Sequence, residues 1–504
     1  MNSVIKQIDS WASVNGEALA FESSEERATY KELKRDSDKI AKFLLNNLST
    51  RGAIVVIEEN EYLTIATFLG CVKSGHAYIP VDGGTASERM EKIIELSKPA
   101  AVINLAEVAL DFSGTIYTKE TFNEVKNQKE EVESVQETFV QGEENFYIIY
   151  TSGTTGDPKG VQISNDNLWS FVDWVNNDFE LSNGQRFLSQ APYSFDLSVM
   201  SLYPALCSGG TVVALKKEET VNYKVLFELL PKLSLDVWVS TPSFVEICLM
   251  SELFNEEHLP TIQHFLFCGE ELMNKTAQKL LERFPSADVW NTYGPTEATV
   301  AMTQVKIDDK VLATYPRLPI GKAKRDTEVY IVDELLNPLP TGEMGEIIII
   351  GPGVSKGYLN NEEKTKSAFF TWEGKPAYRT GDKGFLDEAG MLFYRGRLDF
   401  QVKLNGYRIE LQDIESHLVK GTFVEQAIVL PEYDEFKVKR LVACVVPAKN
   451  DFAKEFQLSK AIKGELKEWV MDYMIPGKFS YFEQFPLTQN GKVDRKALEK
   501  QVFS

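Results

Sequence analysis

The sequence predicts an α/β protein, with a large N-terminal domain built on α/β sheets and a small α+β C-terminal domain. Short apolar runs such as "GAIVVIE", "NFYIIY" and "DVWVST" alternate with amphipathic stretches along most of the chain. Such continuous runs indicate strands that are covered on both faces, because a half-solvated strand alternates apolar and polar residues. Between two of the runs, apolar residues in Asn167 to Asn176 recur at helical spacing, which predicts a helix.

The chain length supports more than one domain. At 504 residues it exceeds the roughly 250–300 residues at which a single core stops growing. The stretch "YRGRLDFQVKLNGYRIE" is followed by a compact pattern: a helix with Leu411, Ile414 and Leu418 on one face, then the strand-like "QAIVL" and "RLVACVVP". We therefore expect a core over residues 1–396, a hinge over 397–399 and a small domain over 400–504.

Composition excludes several classes of function. The net charge of -20 argues against binding to nucleic acid, which requires a basic face. Five scattered cysteines and four histidines show no metal-ligand spacing, so a zinc site is not expected. The N-terminus lacks the pattern of a signal peptide, and no apolar run is long enough for membrane insertion. We expect a cytoplasmic, monomeric protein with reduced thiols.

The stretch "YTSGTTGDPKGV" indicates phosphate binding. Small residues let the backbone approach a phosphate closely, and their hydroxyl and N–H groups can hold its oxygens. Lys159 adds a cation suited to a polyphosphate, but the loop lacks the Gly-Lys-Ser/Thr of a Walker A motif. The alternative is a flexible hairpin turn. The predicted phosphate ligands before Lys159 are Thr151, Ser152, Gly153, Thr154, Thr155 and Gly156.

This loop resembles the signature of the adenylate-forming superfamily, which includes acyl-CoA synthetases, luciferases and nonribosomal-peptide adenylation domains. The resemblance continues, in the family's order, through "NTYGPTEAT", "GEIIIIGPGVSKGYLN", "YRTGD", "GRLDFQVKLNGYRIE" and "NGKVDRKAL". It implies the family's fold, with ATP and Mg²⁺ as cofactors. The substrate carboxylate then attacks the α-phosphorus and pyrophosphate leaves, which requires alignment and charge stabilisation but no covalent nucleophile.

The resemblance also implies which residues bind ATP. Asp382 matches the aspartate that accepts both ribose hydroxyls, although Gly-Asp pairs are also common in turns. Glu297 matches the carboxylate that holds Mg²⁺ on the phosphates, and Arg397 follows where a guanidinium can reach the ribose or a phosphate. The remaining matches are Asn291, Thr292, Tyr293, Gly294, Pro295, Thr296 and Tyr394, with Tyr293 able to stack on the adenine.

Lys492 matches the lysine of the family's last motif. The resemblance implies that a mobile small domain brings this lysine to the substrate carboxylate and the phosphate oxygens, aimed by the turn Asn490-Gly491. Asp399 matches the hinge position, because the family rotates its small domain between two half-reactions. Without the resemblance, a lysine so near a chain end would be a solvated charge.

"APYSFDLSVMSLYPAL" indicates an amino-acid substrate. Asp196 falls where amino-acid-activating members of the family pair an aspartate with the substrate ammonium, which explains a carboxylate among apolar residues. The alternative is that Asp196 is the N-cap of the helix that follows. The other positions that match the specificity pocket are Leu197, Met200, Val239, Leu266, Cys268, Thr292, Val300 and Ala301.

Cys268 indicates a small substrate. It stands where adenylation domains often have glycine or alanine, so its thiol should shrink the pocket and favour alanine as the substrate. If the thiol blocks one side of the substrate's Cα, the D form is favoured. Read without the family, Cys268 is equally well a small core residue.

Because the chain ends soon after Lys492, we expect a stand-alone enzyme without a carrier, condensation or thioesterase module. A stand-alone enzyme of this length with this cysteine resembles the members of the family that activate D-alanine. That resemblance implies transfer of D-alanine to the phosphopantetheine thiol of a small carrier protein, for D-alanylation of teichoic acids. An enzyme for L-alanine, glycine or serine, an acyl-CoA synthetase, and a non-catalytic nucleotide-binding scaffold are the alternatives.

Overall fold

A computed structural model describes residues 3–129, 138–152, 157–487 and 493–503. The chain divides into two compact units. The larger covers residues 1–83, 96–150 and 160–398, and the smaller covers residues 84–95, 151–159 and 399–504. The predicted α/β class, with a large N-terminal and a smaller C-terminal domain, is confirmed. The hinge over residues 397–399 stays a prediction. No helix in the described ranges is long and apolar enough to cross a bilayer.

The strands account for most of the apolar runs of the sequence. In chain order they are β1 (Leu19–Glu22), β2 (Arg27–Thr29), β3 (Ile54–Glu58), β4 (Tyr78–Asp82), β5 (Ala101–Asn104), β6 (Ile116–Thr118), β7 (Asn145–Thr151), β8 (Lys159–Ser164), β9 (Arg186–Ser189), β10 (Thr211–Ala214), β11 (Val237–Ser240), β12 (His264–Phe267), β13 (Asp288–Tyr293), β14 (Thr303–Ile307), β15 (Lys322–Ala323), β16 (Glu328–Val332), β17 (Gly345–Ile350), β18 (Phe369–Trp372), β19 (Lys375–Leu386), β20 (Leu392–Arg397), β21 (Gln401–Leu404), β22 (Tyr407–Glu410), β23 (Val424–Asp434), β24 (Lys437–Pro447) and β25 (Lys478–Tyr481).

Helices connect most of the parallel strands. In chain order they are α1 (Val4–Val14), α2 (Tyr30–Asn47), α3 (Tyr62–Lys73), α4 (Ser87–Ser97), α5 (Lys119–Asn127), α6 (Asn165–Asp178), α7 (Leu197–Cys207), α8 (Lys217–Val221), α9 (Tyr223–Leu229), α10 (Pro242–Cys248), α11 (Asn274–Arg283), α12 (Asp309–Thr314), α13 (Glu362–Ala368), α14 (Leu411–Lys420), α15 (Glu455–Leu466) and α16 (Arg495–Phe503). Short 3-10 helices lie at Leu230–Lys232, Thr296–Ala298 and Asp472–Met474.

Two sheets with parallel centres form the core of the larger unit. One has the strand order β15-β14-β13-β12-β11-β9-β10-β1-β2, and the other has the order β6-β5-β3-β4-β7-β8. β9, β11, β12 and β13 run parallel, so their carboxyl ends lie at one edge of the nine-stranded sheet. Ligands of parallel sheets bind beyond this edge. Cys268 and Gly294 come directly after β12 and β13, and Asp196 follows β9 by seven residues, so three of the predicted site segments follow these strand ends.

A third, antiparallel sheet completes the larger unit. Its order is β16-β17-β19-β18, and β20 pairs with β19. The pairing of β19 with β20 sets Asp382 opposite Arg397 and Gly384 opposite Tyr394. Three of the predicted nucleotide ligands thus lie on two neighbouring strands.

The smaller unit has its own hydrophobic core. The hairpin β21–β22, the sheet β23-β24-β25 and helices α14 and α15 contribute to it. α14 buries Leu411, Ile414 and Leu418, the face that the sequence predicts. α16 is held by Leu498, which is fully buried against a second small cluster with Cys444.

Candidate active site

Asp196 is a buried carboxylate that does not act as a helix cap. It occupies the N-cap position of α7, yet its backbone is helical and its side chain makes no capping hydrogen bond. Its Oδ2 instead accepts a hydrogen bond from the Thr296 hydroxyl at 2.6 Å, across one hundred residues of sequence. The geometry therefore disfavours the capping alternative, and the carboxylate belongs to the tertiary structure around the predicted pocket.

The residues predicted to form the pocket with Asp196 are mostly apolar. They are all buried, and all but Thr292 share one hydrophobic cluster with Tyr147 of β7. The hydroxyl of Tyr147 is buried without a hydrogen-bond partner among the described residues. Burial raises the pKa of Tyr147, and nearby Tyr78 and Asp196 raise it further. The apolar members of this pocket are Leu197, Met200, Val239, Leu266, Cys268, Val300 and Ala301.

One wall of the pocket is strained. Thr299 and Val300 have φ angles of 59° and 69°, and a β-branched valine seldom adopts this region. The Cys268 thiol donates to the Val300 carbonyl at 3.7 Å, and the Thr299 hydroxyl donates to the Gly353 carbonyl at 2.7 Å. These contacts hold a conformation that is otherwise unfavourable, a feature that is common at functional sites.

Gly294 is required by close packing against this same wall. A Cβ at Gly294 would lie 2.5 Å from the Cα of Ala301, a backbone atom that cannot move aside cheaply. Glycine in "YGPTE" is thus explained by the approach of two backbone segments.

Glu297 is fully buried in the 3-10 helix Thr296–Ala298. Its Oε1 accepts a hydrogen bond from the Tyr358 hydroxyl at 2.9 Å, and its backbone carbonyl accepts one from the Ser355 N–H at 2.9 Å. Both partners come from the segment "GVSKGY" that follows β17. The orientation of this carboxylate is therefore fixed by a distant loop.

Asp382 lies at the centre of a buried polar group. Its Oδ2 accepts a hydrogen bond from the Tyr293 hydroxyl, and its Oδ1 pairs with Arg397 Nη1 at 2.8 Å. Arg397 Nη1 also donates to the Thr380 carbonyl at 2.8 Å, while the Asp382 N–H donates to the Thr380 hydroxyl. Burial and the adjacent Asp382 charge raise the pKa of Tyr293 well above its usual value. Tyr293 therefore stays a neutral donor.

Asn291 and Thr292 are anchored to the backbone of neighbouring segments. The Asn291 amide donates to the Pro319 carbonyl at 2.7 Å, and the Thr292 hydroxyl donates to the Phe267 carbonyl at 2.8 Å. The ring of Tyr394 lies 6.2 Å from that of Tyr293. The larger unit thus contains most of the predicted amino-acid ligands and several predicted nucleotide ligands, which lie on α7, the nine-stranded sheet and its connections, and the antiparallel sheet.

The remaining predicted residues belong to the smaller unit or lie outside the described residues. The Ser152 hydroxyl donates to the Arg408 carbonyl at 2.7 Å, Lys159 is buried, and the Asp399 carboxylate accepts a hydrogen bond from the Gln401 N–H at 3.1 Å. Thr151 Oγ1 is buried without a hydrogen-bond partner in the described part of the chain. Those outside the described residues are Gly153, Thr154, Thr155, Gly156, Asn490, Gly491 and Lys492.

Sequence reasoning missed two residues of the site. Tyr358 holds Glu297, and Thr380 holds both Asp382 and Arg397. Both lie inside stretches whose motifs were recognised, but a single tyrosine or threonine carries no local signal for a partner. Within the described residues, no three His, Cys, Asp or Glu side chains assemble as a metal site.

Comparison with known proteins defines the class. Residues 8–359 match the AMP-binding enzyme family, and residues 413–492 match the C-terminal domain of AMP-binding enzymes. The chain belongs to this family, so the predicted adenylate-forming ligase that uses ATP is confirmed. The adenylation domain AlmE of Vibrio cholerae, solved with glycyl-adenosine-5'-phosphate, shares the fold, with a TM-score of 0.85, 24% identity and coverage of 100% of this chain and 98% of that one.

Curated relatives narrow the class further. The chain is 50% identical over 506 residues to the D-alanine--D-alanyl carrier protein ligase of Listeria monocytogenes serotype 4b, covering 99% of both proteins. It is 49% identical to the ligase of the same name from Lactiplantibacillus plantarum, covering 100% of this chain and 99% of that protein. The predicted resemblance to this kind of ligase is confirmed.

Proposed function

We propose that this protein is a ligase that joins D-alanine to a D-alanyl carrier protein in two half-reactions. In the first, a carboxylate oxygen of D-alanine attacks the α-phosphorus of ATP. The bond between the α-phosphorus and the oxygen that bridges to the β-phosphate breaks, so pyrophosphate departs and D-alanyl adenylate is formed. In the second, the phosphopantetheine thiol of a small carrier protein attacks the acyl carbon, its proton is lost, and AMP leaves. The observation that carries the proposal is the buried Asp196 carboxylate in an apolar pocket, in a chain half identical to such ligases.

Asp196 binds the substrate ammonium in this proposal. A buried carboxylate is costly unless a cation or donors meet it, and the ammonium of an amino acid is such a cation. Thr296 donates one hydrogen bond to the same carboxylate. A fatty acid has no group for this charge. The other residues predicted to line this pocket carry no second charge that could meet an acidic or basic side chain, which favours alanine.

We assign the choice between the alanine enantiomers to the part of the pocket that Cys268 and Val300 form. The Cys268 thiol is tied to the carbonyl of the strained Val300, so neither group can withdraw freely. A fixed wall on one side of Cα admits the methyl group of one enantiomer and not the other. We propose that the admitted form is D-alanine.

ATP is held by the polar group around Asp382 and by Glu297. An ionised carboxylate has about four acceptor positions, of which Tyr293 and Arg397 use two, so two are left for the ribose hydroxyls. Glu297 is suited to be a ligand of Mg²⁺, since this ion is usually bound by one or two carboxylates together with substrate phosphates. When bound, the ion would neutralise charge on the phosphates, and Tyr358 keeps the Glu297 carboxylate in place.

Lys492 and the predicted hinge supply the remaining parts of the proposal. Lys492 stabilises the negative charge that develops between the carboxylate and the phosphate. Residues 397–399 let the small domain, residues 400–504, rotate so that the acceptor thiol reaches the adenylate. The five cysteines are buried and form no disulfide, which suits the reducing cytoplasm. The product would feed D-alanylation of teichoic acids.

Transfer of radiolabelled D-alanine tests the acceptor. With ATP and Mg²⁺, we expect label on a holo D-alanyl carrier protein, and none on the apo carrier that lacks phosphopantetheine. The label should be released by hydroxylamine, which cleaves thioesters. Asp196→Asn should abolish loading, while Arg440→Gln, which removes an exposed ion pair with Glu432, should not. Efficient transfer to free coenzyme A in place of the carrier would identify an acyl-CoA synthetase.

A further inference from the structure

Thr296 connects two parts of the proposed site through one buried hydroxyl. It begins the 3-10 helix that also carries Glu297, and its side chain reaches Asp196 at 2.6 Å. An ionised carboxylate can only accept hydrogen bonds, so the hydroxyl is the donor. A hydroxyl has a single hydrogen, and while this hydrogen is donated to Asp196 it cannot also be donated to a phosphate oxygen.

The segment that carries Thr296 is held from several sides. Tyr358 and Ser355 bind the side chain and the carbonyl of Glu297, and the Thr296 carbonyl accepts a hydrogen bond from the Thr299 N–H at 3.1 Å. Asp196, by contrast, uses neither oxygen to cap α7. The hydroxyl of Thr296 therefore transmits the position of a well-anchored turn to the Asp196 carboxylate.

We propose that Thr296 is a positioning residue for Asp196, and that it governs recognition of the substrate ammonium rather than binding of ATP. The proposal rests on the function proposed above, in which Asp196 binds that ammonium. The hydrogen bond from the Thr296 hydroxyl orients the Asp196 carboxylate in the predicted pocket. The role assigned to Thr296 by family resemblance, as an ATP ligand, would then be secondary to its role in amino-acid selection.

The test separates the two substrates. Thr296→Val keeps the shape of the side chain and removes the donor, while Thr296→Ser keeps the donor. Pyrophosphate exchange is measured with D-alanine varied at saturating ATP, and with ATP varied at saturating D-alanine. Because a hydrogen bond to a charged group is lost, Thr296→Val should raise the KM for D-alanine roughly ten- to hundredfold, with the KM for ATP within about twofold of wild type. Thr296→Ser should recover most of the affinity.

A matched variant controls for the loss of a buried threonine hydroxyl. The Thr303 hydroxyl is buried and donates to the Ile320 carbonyl at 2.5 Å and not to Asp196. Thr303→Val should lower stability and leave the KM for D-alanine unchanged. In an Asp196→Asn background, Thr296→Val should change the KM for D-alanine by less than about twofold, because the carboxylate it positions is gone. Where exchange by Asp196→Asn is too slow to measure, the two KM values of Thr296→Val and their recovery in Thr296→Ser decide.

The outcomes separate the failure of this inference from failure of the proposed function. If the wild-type protein showed no D-alanine-dependent exchange, the proposed function itself would be refuted. An active wild type whose Thr296→Val variant loses affinity for ATP and not for D-alanine would overturn the inference alone. Equal effects of Thr296→Val and Thr303→Val would also overturn it, since both would then reflect general destabilisation.

Discussion

Replacement of Asp382 tests the nucleotide side of the site in the greatest detail. Its carboxylate and the Arg397 guanidinium form an ion pair at 2.8 Å, and their side chains are only 3% and 11% exposed. Asp382→Ala removes the charge and leaves Arg397 buried without its carboxylate. Asp382→Asn keeps the shape and one carbonyl oxygen, so the two variants separate loss of charge from loss of the whole group.

The structure sets the size of both effects. Breaking a buried ion pair by removing one partner costs about 3–5 kcal/mol. Since Arg397 keeps its hydrogen bond to the Thr380 carbonyl, we expect Asp382→Ala to lower the free energy of unfolding by about 3 kcal/mol. For Asp382→Asn we expect about 1–2 kcal/mol, the difference between charged and neutral hydrogen bonds. A single amide oxygen cannot accept from both ribose hydroxyls as well as Arg397, so the KM for ATP should rise roughly ten- to hundredfold.

Urea unfolding followed by tryptophan fluorescence measures the first effect, and pyrophosphate exchange with ATP varied at saturating D-alanine measures the second. The KM for D-alanine is the internal control, because Asp382 has no proposed contact with the amino acid. An Asp382→Asn variant with the wild-type KM for ATP would refute the assignment of Asp382 to the ribose. In that case the carboxylate would serve only to neutralise Arg397.

Further predictions concern three other residues. Cys268→Ala should relax discrimination between the alanine enantiomers, because the thiol that holds the Val300 carbonyl is lost; an unchanged ratio of D- to L-alanine exchange rates would remove Cys268 from the account. Lys492→Ala should slow D-alanine-dependent exchange by about two to three orders of magnitude, or roughly 3–4 kcal/mol, and near-wild-type exchange would contradict its catalytic role. Glu297→Gln should raise the Mg²⁺ concentration for half-maximal exchange, since a neutral amide binds the ion less well than a carboxylate; an unchanged Mg²⁺ dependence would exclude Glu297 as a ligand.

The sequence predicted the strands of the two large sheets because their residues are buried on both faces. "GAIVVIE", "NFYIIY" and "DVWVST" become β3, β7 and β11, which are all buried along most of their length. The antiparallel sheet that carries Asp382 and Arg397 was not predicted as a sheet. Its strand β19, "KPAYRTGDKGFL", mixes glycine, proline and charged residues, so no apolar run marks it.

The candidate site divides in a similar way. Motifs predicted Asp196, Glu297 and Asp382, because each stands in a short pattern of fixed order. Their partners were not predictable. The Thr296–Asp196 bond and the Tyr358–Glu297 bond join positions 100 and 61 residues apart, and only the tertiary structure brings them together. The left-handed backbone of Val300 could not be predicted either, since a β-branched residue such as valine favours extended structure.

The central claim is that this protein activates D-alanine with ATP. ATP–pyrophosphate exchange with D-alanine, L-alanine, glycine, D-serine, L-serine and a short fatty acid tests it most directly. We predict strong exchange with D-alanine, weak exchange with L-alanine and none with the fatty acid, which has no ammonium for Asp196. Preference for the fatty acid, or equal exchange with both alanine enantiomers, would contradict the account.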